Sequence, residues 1–173
     1  MGPITFKTTL VRIGPWTVLK VPQAASDKLP SRGLNLVEGT LDGARLHAPL
    51  QPDGAGGHWL RIEAPGLRAG DTVEVVMSRS KSWPEPQVPA DVKRALKADA
   101  AARAVWEDTT PLARWEWLRW IGSTKSADTR AIRIEKTASK LKGGTRTPCC
   151  FNRNECTEPA VSHRGVLLDP TEA

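Results

Sequence analysis

The 173-residue chain has only three cysteines, Cys149, Cys150 and Cys156, an odd number crowded toward one end. That excludes a disulfide framework and agrees with a reducing compartment. No apolar run approaches the ~20 residues that a membrane-spanning helix needs. The first residues, Met-Gly-Pro-Ile-Thr-Phe, lack the charged flank and apolar stretch of a secretory signal. They also lack the myristoylation pattern, because Phe6 stands where a Ser or Thr is required. These absences predict a soluble chain kept in the cytosol, without membrane insertion. Catalytic signatures are missing as well. There is no Gly-x-Ser-x-Gly or His-Glu-x-x-His, and His47, His58 and His163 show neither metal nor triad spacing. Gly54-Ala-Gly-Gly57 lacks the Lys-Ser/Thr and helix start of a phosphate loop, so it reads as a flexible β-loop. The expectation is a protein without catalytic machinery or cofactor, although a site assembled from scattered residues would leave no motif.

What is present is a folded composition, 39% hydrophobic and 25% charged. The length allows one ordinary domain or two small ones. The net charge of +6 is unevenly spread. Residues 1–90 hold 10 basic and 8 acidic side chains, whereas Leu112–Pro148 holds 9 basic and 3 acidic. Such a local excess can attract an anionic partner.

The first 80 residues read as β. Ile4, Phe6, Thr8 and Leu10 alternate with polar residues, the period of a half-buried strand. Further strands are expected at Trp16–Val21, Leu34–Leu41, Ala44–Leu50, His58–Glu63 and Thr72–Arg79. Asp42-Gly43, between two of them, is the signature of a type I′ hairpin. Six short strands predict a barrel or a sandwich over residues 1–82. The proline-rich stretch 83–90 is expected to be an extended linker. Four helices are predicted within 91–146: Asp91–Lys97, Ala100–Glu107 capped by Asp99, Thr110 to about Ser123, and Ser126 to Gly143-Gly144. In the last, Ala127, Ala131, Ile134, Ala138 and Leu141 form an apolar stripe, with Arg133 and Lys140 on a polar flank. Residues 147–173 read as an irregular tail packed on the rest.

Arg114-Trp-Glu-Trp-Leu-Arg-Trp-Ile121, then Lys125, then Thr129-Arg130-x-x-Arg133-Ile134 resembles the helical domain of the bacterial YdeI or OmpD-associated family, also called bacteriocin-protection proteins. The Phe6 strand, Val21-Pro22, Val37-Glu38-Gly39, Gly-Gly-His-Trp59 and Gly66-Leu-x-Ala-Gly-Asp-x-Val73 resemble the uncharacterised β-domain that often precedes it. Together the two resemblances span residues 4 to about 145. One departure is Ala113, where many relatives carry His. The resemblance implies a barrel similar to the double-split barrels of AbrB and MazE, and it implies no enzyme activity.

Three candidate sites follow, each with a plainer reading. On the third helix Ala113, Trp117, Trp120 and Ile121 share one face, which places Trp115 about 200° from Trp117. Trp115 would then be exposed near Arg114 and Arg119 and could stack a base or anchor a protein. The alternative is an aromatic plug against the barrel. The basic set Lys125, Arg130, Arg133, Lys136 and Lys140 would neutralise phosphates, or would simply form a solvated face with Asp128 and Glu135. Cys149, Cys150, Cys156 and His163 could supply four zinc ligands, but their spacing is poor and free thiols are the simpler reading.

The sequence therefore predicts an α+β protein, a small β-barrel followed by a compact group of about four helices. Its expected role is non-enzymatic binding or stress protection through the basic, Trp-containing helical surface, toward a protein or an anionic polymer. A nucleic-acid-binding regulator is the second reading, and an enzyme with a pocket between barrel and helices is the third.

Overall fold

A computed structural model describes residues 2–148, 160–162 and 166–171 of the chain. It divides into two units: a β-unit comprising residues up to Ser82 with those from Ala160 onward, and a helical unit from Trp83 to Pro148.

The β-unit is one curled antiparallel sheet of seven strands, in spatial order β1-β7-β4-β5-β6-β3-β2. In chain order the strands are β1 (Ile4–Thr9), β2 (Val11–Ile13), β3 (Trp16–Lys20), β4 (Asn35–Leu41), β5 (Ala44–Pro52), β6 (His58–Ile62) and β7 (Thr72–Arg79). A single helical turn, α1 (Gln23–Ser26), follows β3. The expected barrel takes the form of a half-barrel, with one strand more than predicted. The extra strand, β2, continues β1 through Leu10, so the two outermost positions of the sheet are consecutive in the chain. Leu10 holds the bend with both backbone groups: its N–H donates to Asp71 at 2.8 Å and its carbonyl accepts from Gly70 at 2.8 Å.

The hairpin reading holds in detail. Leu41 pairs with Ala44, and the turn residues Asp42 and Gly43 have φ of 48° and 79°, the left-handed pair that a type I′ turn requires. Asp42 also docks the turn on β7, its carboxylate accepting from the Glu74 N–H at 2.7 Å.

Alternation along β1 and β7 buries Ile4, Leu10, Val73, Val75 and Met77 in a main core with Leu19, Val37 and Leu50. On β3 the alternation fails, because adjacent Val18 and Leu19 are both buried. Neighbouring strand residues face opposite sides, so both faces of this part of the sheet are covered. Leu19 enters the main core, while Val18 joins Ile13, Trp59 and Ala160 in a second core. The cover comes from the C-terminal segment. Leu167 donates to the Asp53 carbonyl at 2.8 Å and Val161 pairs with Leu167. The described part of the expected irregular tail is therefore an integral part of the β-unit.

The helical unit contains α2 (Ala90–Ala98), α3 (Ala100–Asp108), α4 (Pro111–Gly122) and α5 (Ala127–Lys142). The side chains of Asp99, Thr110 and Ser126 accept from the backbone N–H three residues on, at 3.1, 3.2 and 3.2 Å. Each satisfies a donor that the first helical turn leaves unpaired. The core consists of Val92, Leu96, Ala102, Trp106, Trp117, Ile121 and Leu141. No described helix is long and apolar enough to cross a membrane.

Candidate functional site

The arginines of the helical motif point inward. The last carbonyls of an α-helix have no partner within it, and at two helix ends here an arginine from elsewhere supplies the donors. Arg114, in α4 and buried, donates to the Trp106 carbonyl at 3.0 Å and to that of Thr109, closing the end of α3. Its Nε donates to Glu85 at 3.1 Å. Arg133, in α5 and only 5% exposed, donates to the carbonyls of Trp120 at 2.8 Å and Ser123 at 3.2 Å, closing the end of α4. It also reaches the Ser123 hydroxyl at 2.8 Å.

The expectation that Arg133 lies on a polar flank is corrected by this geometry. The expectation counted Ala127 and Ala131 as core positions; the buried positions Thr137 and Leu141 instead lie four and eight residues after Arg133, on its own face of the helix. The apolar stripe holds in its second half: Leu141 is buried and Ile134 and Ala138 pack against the core, whereas Ala127 and Ala131 are exposed and Arg133 and Thr137 are buried.

Arg130 forms a two-pronged ion pair with Asp91 in the first turn of α2, at 2.7 and 3.0 Å. These hydrogen bonds hold the Asp91 carboxyl below its ordinary range and raise the Arg130 guanidinium above its own. Arg146 also reaches Asp108, one terminal nitrogen donating to its carboxylate at 2.8 Å and the other to its backbone carbonyl.

The sequence left Trp115 as either an exposed anchor or a packed aromatic plug. It is half-buried, its indole N–H donates to the Pro84 carbonyl at 2.8 Å, and its ring lies 6.3 Å from that of Trp83. The residues it covers belong to the stretch expected as an extended linker. Pro84 and Glu85 are held on α4 by Trp115 and Arg114. Arg119 is half-buried, 3.8 Å from Glu116.

Lys125, Lys136 and Lys140 are exposed. Lys136 and Lys140 stand four residues apart on α5 with Ile132 four residues before them, which puts all three on one face. Ile132 is 51% exposed. Beside this row, the Lys140 ammonium lies 5.7 Å from the Trp120 ring centroid, and the Arg133 guanidinium 5.5 Å from it. Lys136 and Lys140 belong to the expected basic set, but Ile132 was not anticipated; the signal available was an isoleucine that does not fit the apolar stripe.

In the β-unit a buried polar cluster had also escaped notice. His58, Ser26 and Asn35 are all buried, drawn together from β6, α1 and the start of β4. His58 Nδ1 meets the Ser26 hydroxyl, and Nε2 lies 3.0 Å from the Gly33 carbonyl. Asn35 Nδ2, also 3.0 Å from Nε2, gives its two protons to the Ser31 and Gly33 carbonyls at 2.9 Å, so Nε2 carries a proton toward Gly33 and Nδ1 accepts from Ser26. Burial pushes the imidazole below its ordinary range and keeps it neutral. The histidine ties two loops to the sheet.

No group of three or more metal-ligating side chains converges among the described residues. Cys149, Cys150, Cys156 and His163 lie outside them.

Residues 85–144 match the family described as bacteriocin-protection, YdeI or OmpD-associated, and residues 6–77 match a domain of unknown function (DUF1905). No curated protein matches the chain. The first match covers the helices from α2 to α5 and the second runs from within β1 to within β7, as the resemblance implied. The helical unit is thus similar to the bacteriocin-protection, YdeI or OmpD-associated family, and the β-unit to the DUF1905 domain.

Proposed function

We propose that the protein is a non-enzymatic binding protein of the bacteriocin-protection type. It meets an acidic protein partner through the α5 row Ile132, Lys136 and Lys140, with Trp120 beside it. The observation that carries this reading is the 51% exposure of Ile132 in line with two lysines. A partner surface bearing carboxylates around an apolar side chain complements that row. Trp120 adds an aromatic edge of the kind enriched in binding hot spots.

Magnitude favours protein over nucleic acid. Counterion release yields a log–log salt slope of about −0.9 per neutralised phosphate, so two lysines supply a slope of only about −2. Arg114, Arg130 and Arg133, which would have enlarged the footprint, are engaged within the unit. Against an enzyme, His58 is sealed in the β-unit and the Asp91–Arg130 charges neutralise one another.

The test is survival of a bacteriocin-sensitive strain expressing either the wild-type chain or the Ile132→Ala, Lys136→Glu, Lys140→Glu variant. Protection by the wild type and its loss in the variant is the expected result. Absence of protection, or equal protection by both, overturns the reading. Labelled duplex DNA bound by the wild type at physiological salt, with a slope much steeper than about −2, would put the nucleic-acid reading in its place.

A further inference from the structure

The motif Gly66-Leu-Arg-Ala-Gly-Asp-Thr-Val73 has no part in the helical surface, yet it builds one wall of a cleft in the β-unit. The cleft has a volume of about 620 Å³, within the roughly 300–1,000 Å³ typical of small-molecule sites. Three stretches distant in sequence meet around it: the β1–β3 corner, residues 68–70, and Pro170-Thr171. Backbone hydrogen bonds fasten them together. Gly70 donates to Leu10 at 2.8 Å, and Thr171 donates to the Arg12 carbonyl from its N–H at 2.7 Å and its hydroxyl at 3.1 Å. A frame fixed before binding spends little ordering entropy when a ligand arrives.

The lining combines apolar and cationic surface. Trp16 is stacked on buried Trp59 at a centroid distance of 6.3 Å, with the Arg61 guanidinium 4.4 Å from its ring centroid. That packing holds the indole in place. Arg12 and Arg68 also line the cleft, and among the described residues no carboxylate does. Neither guanidinium is ion-paired among the described residues, whereas Lys7, Arg32 and Arg61 of the same unit are paired with Glu74, Asp27 and Glu63. Arg12 Nε donates to the Gly14 carbonyl at 3.2 Å, which orients the side chain and leaves its terminal nitrogens for a ligand. A planar fork of donors suits an oxyanion better than any other ligand group.

We infer that this cleft binds a small organic anion, its apolar planar body against Trp16 and its carboxylate or phosphate head at Arg12 and Arg68. The test uses three probes of one shape, 2-naphthoate, 2-naphthyl phosphate and uncharged 2-naphthamide. Each is titrated into the full ¹⁵N-labelled chain and followed by amide and indole chemical shifts. Saturable shifts at the Trp16 indole, Gly70 and Thr171 are expected for one or both anions, and the better anion identifies the head group. Binding of that anion should weaken at least about tenfold in Arg12→Ala, Arg68→Ala. The exposed Arg45→Ala, Arg79→Ala variant controls for net charge and should bind normally. The inference is overturned if 2-naphthamide binds as tightly as the anions, if both arginine pairs weaken binding equally, or if no probe gives saturable shifts at those residues.

Discussion

Arg133 touches Trp120 twice: its Nη1 lies 2.8 Å from the Trp120 carbonyl oxygen and its guanidinium carbon 5.5 Å from the Trp120 ring centroid. One side chain therefore closes the end of α4 and supports the aromatic ring above it. Arg133→Ala leaves carbonyls of Trp120 and Ser123 without that donor, in a largely buried setting. Urea unfolding should show a loss of about 2–4 kcal/mol. Arg133→Lys should recover little, because an ammonium cannot reach the same acceptors in a planar fork. A loss under 1 kcal/mol in the alanine variant, on the order of a surface change, would mean that the cap contributes nothing.

Arg114 and Glu85 should separate in the same assay. The Glu85 side chain is 67% exposed, so solvent weakens its part of the ion pair. Glu85→Ala is expected to cost about 0.5 kcal/mol, and Arg114→Ala about 2–3 kcal/mol because the end of α3 loses its donors. Equal losses would show that the ion pair, not the cap, holds α4.

His58 predicts the direction of an acid response. Its folded-state pKa lies below the unfolded value, so the neutral form is the one the fold favours. Its contribution is complete above about pH 6.5. It is lost as pH falls through the folded pKa, where the native imidazole must also charge. The urea midpoint of the wild type should therefore drop between pH 7.5 and 5.5 by more than that of His58→Gln. Parallel curves for the two proteins would remove His58 from the acid response.

Removing residues 160–173 should open the second core of the β-unit. Trp59 is 1% exposed and Ile13 and Val18 are fully covered, with Ala160 and Leu167 among the residues packed on them. The truncated chain should lose about 2 kcal/mol or more and its tryptophan emission should shift to the red. An unchanged spectrum and melting temperature would mean that the segment only rests on the surface.

Gly39 admits no side chain. A Cβ there would stand 1.9 Å from the Val76 carbonyl oxygen, in the middle of the β4–β7 pairing. Gly39→Ala should cost more than about 3 kcal/mol and sharply reduce the soluble yield. A variant that melts within a few degrees of the wild type would mean that the strands can separate without penalty.

The resemblance named Val37-Glu38-Gly39 and Gly-Gly-His-Trp59 without explaining them. Gly39 lets β4 approach β7, and His58 bonds Ser26 and Gly33. Trp59 is the floor of the second core. None of these roles is visible along the chain, because each depends on a partner at least 25 residues away in sequence.

Local rules were enough for all the elements except β2 and the single turn α1. Period-2 and helical periodicity, the Asp42-Gly43 turn, and the caps at Asp99, Thr110 and Ser126 act over a few residues, so the sequence by itself determined strands, hairpin and helix starts. Tertiary structure decided what the charges do. An arginine at a helix flank has the same local signature whether it faces water or reaches the end of another helix. Only the packing that brings the carbonyls of Trp120 and Ser123 to Arg133, and those of Trp106 and Thr109 to Arg114, distinguishes the two. Packing also left Ile132, Lys136 and Lys140 outside and drew Val161 and Leu167 back onto the sheet, because burial depends on neighbours that sequence spacing does not specify.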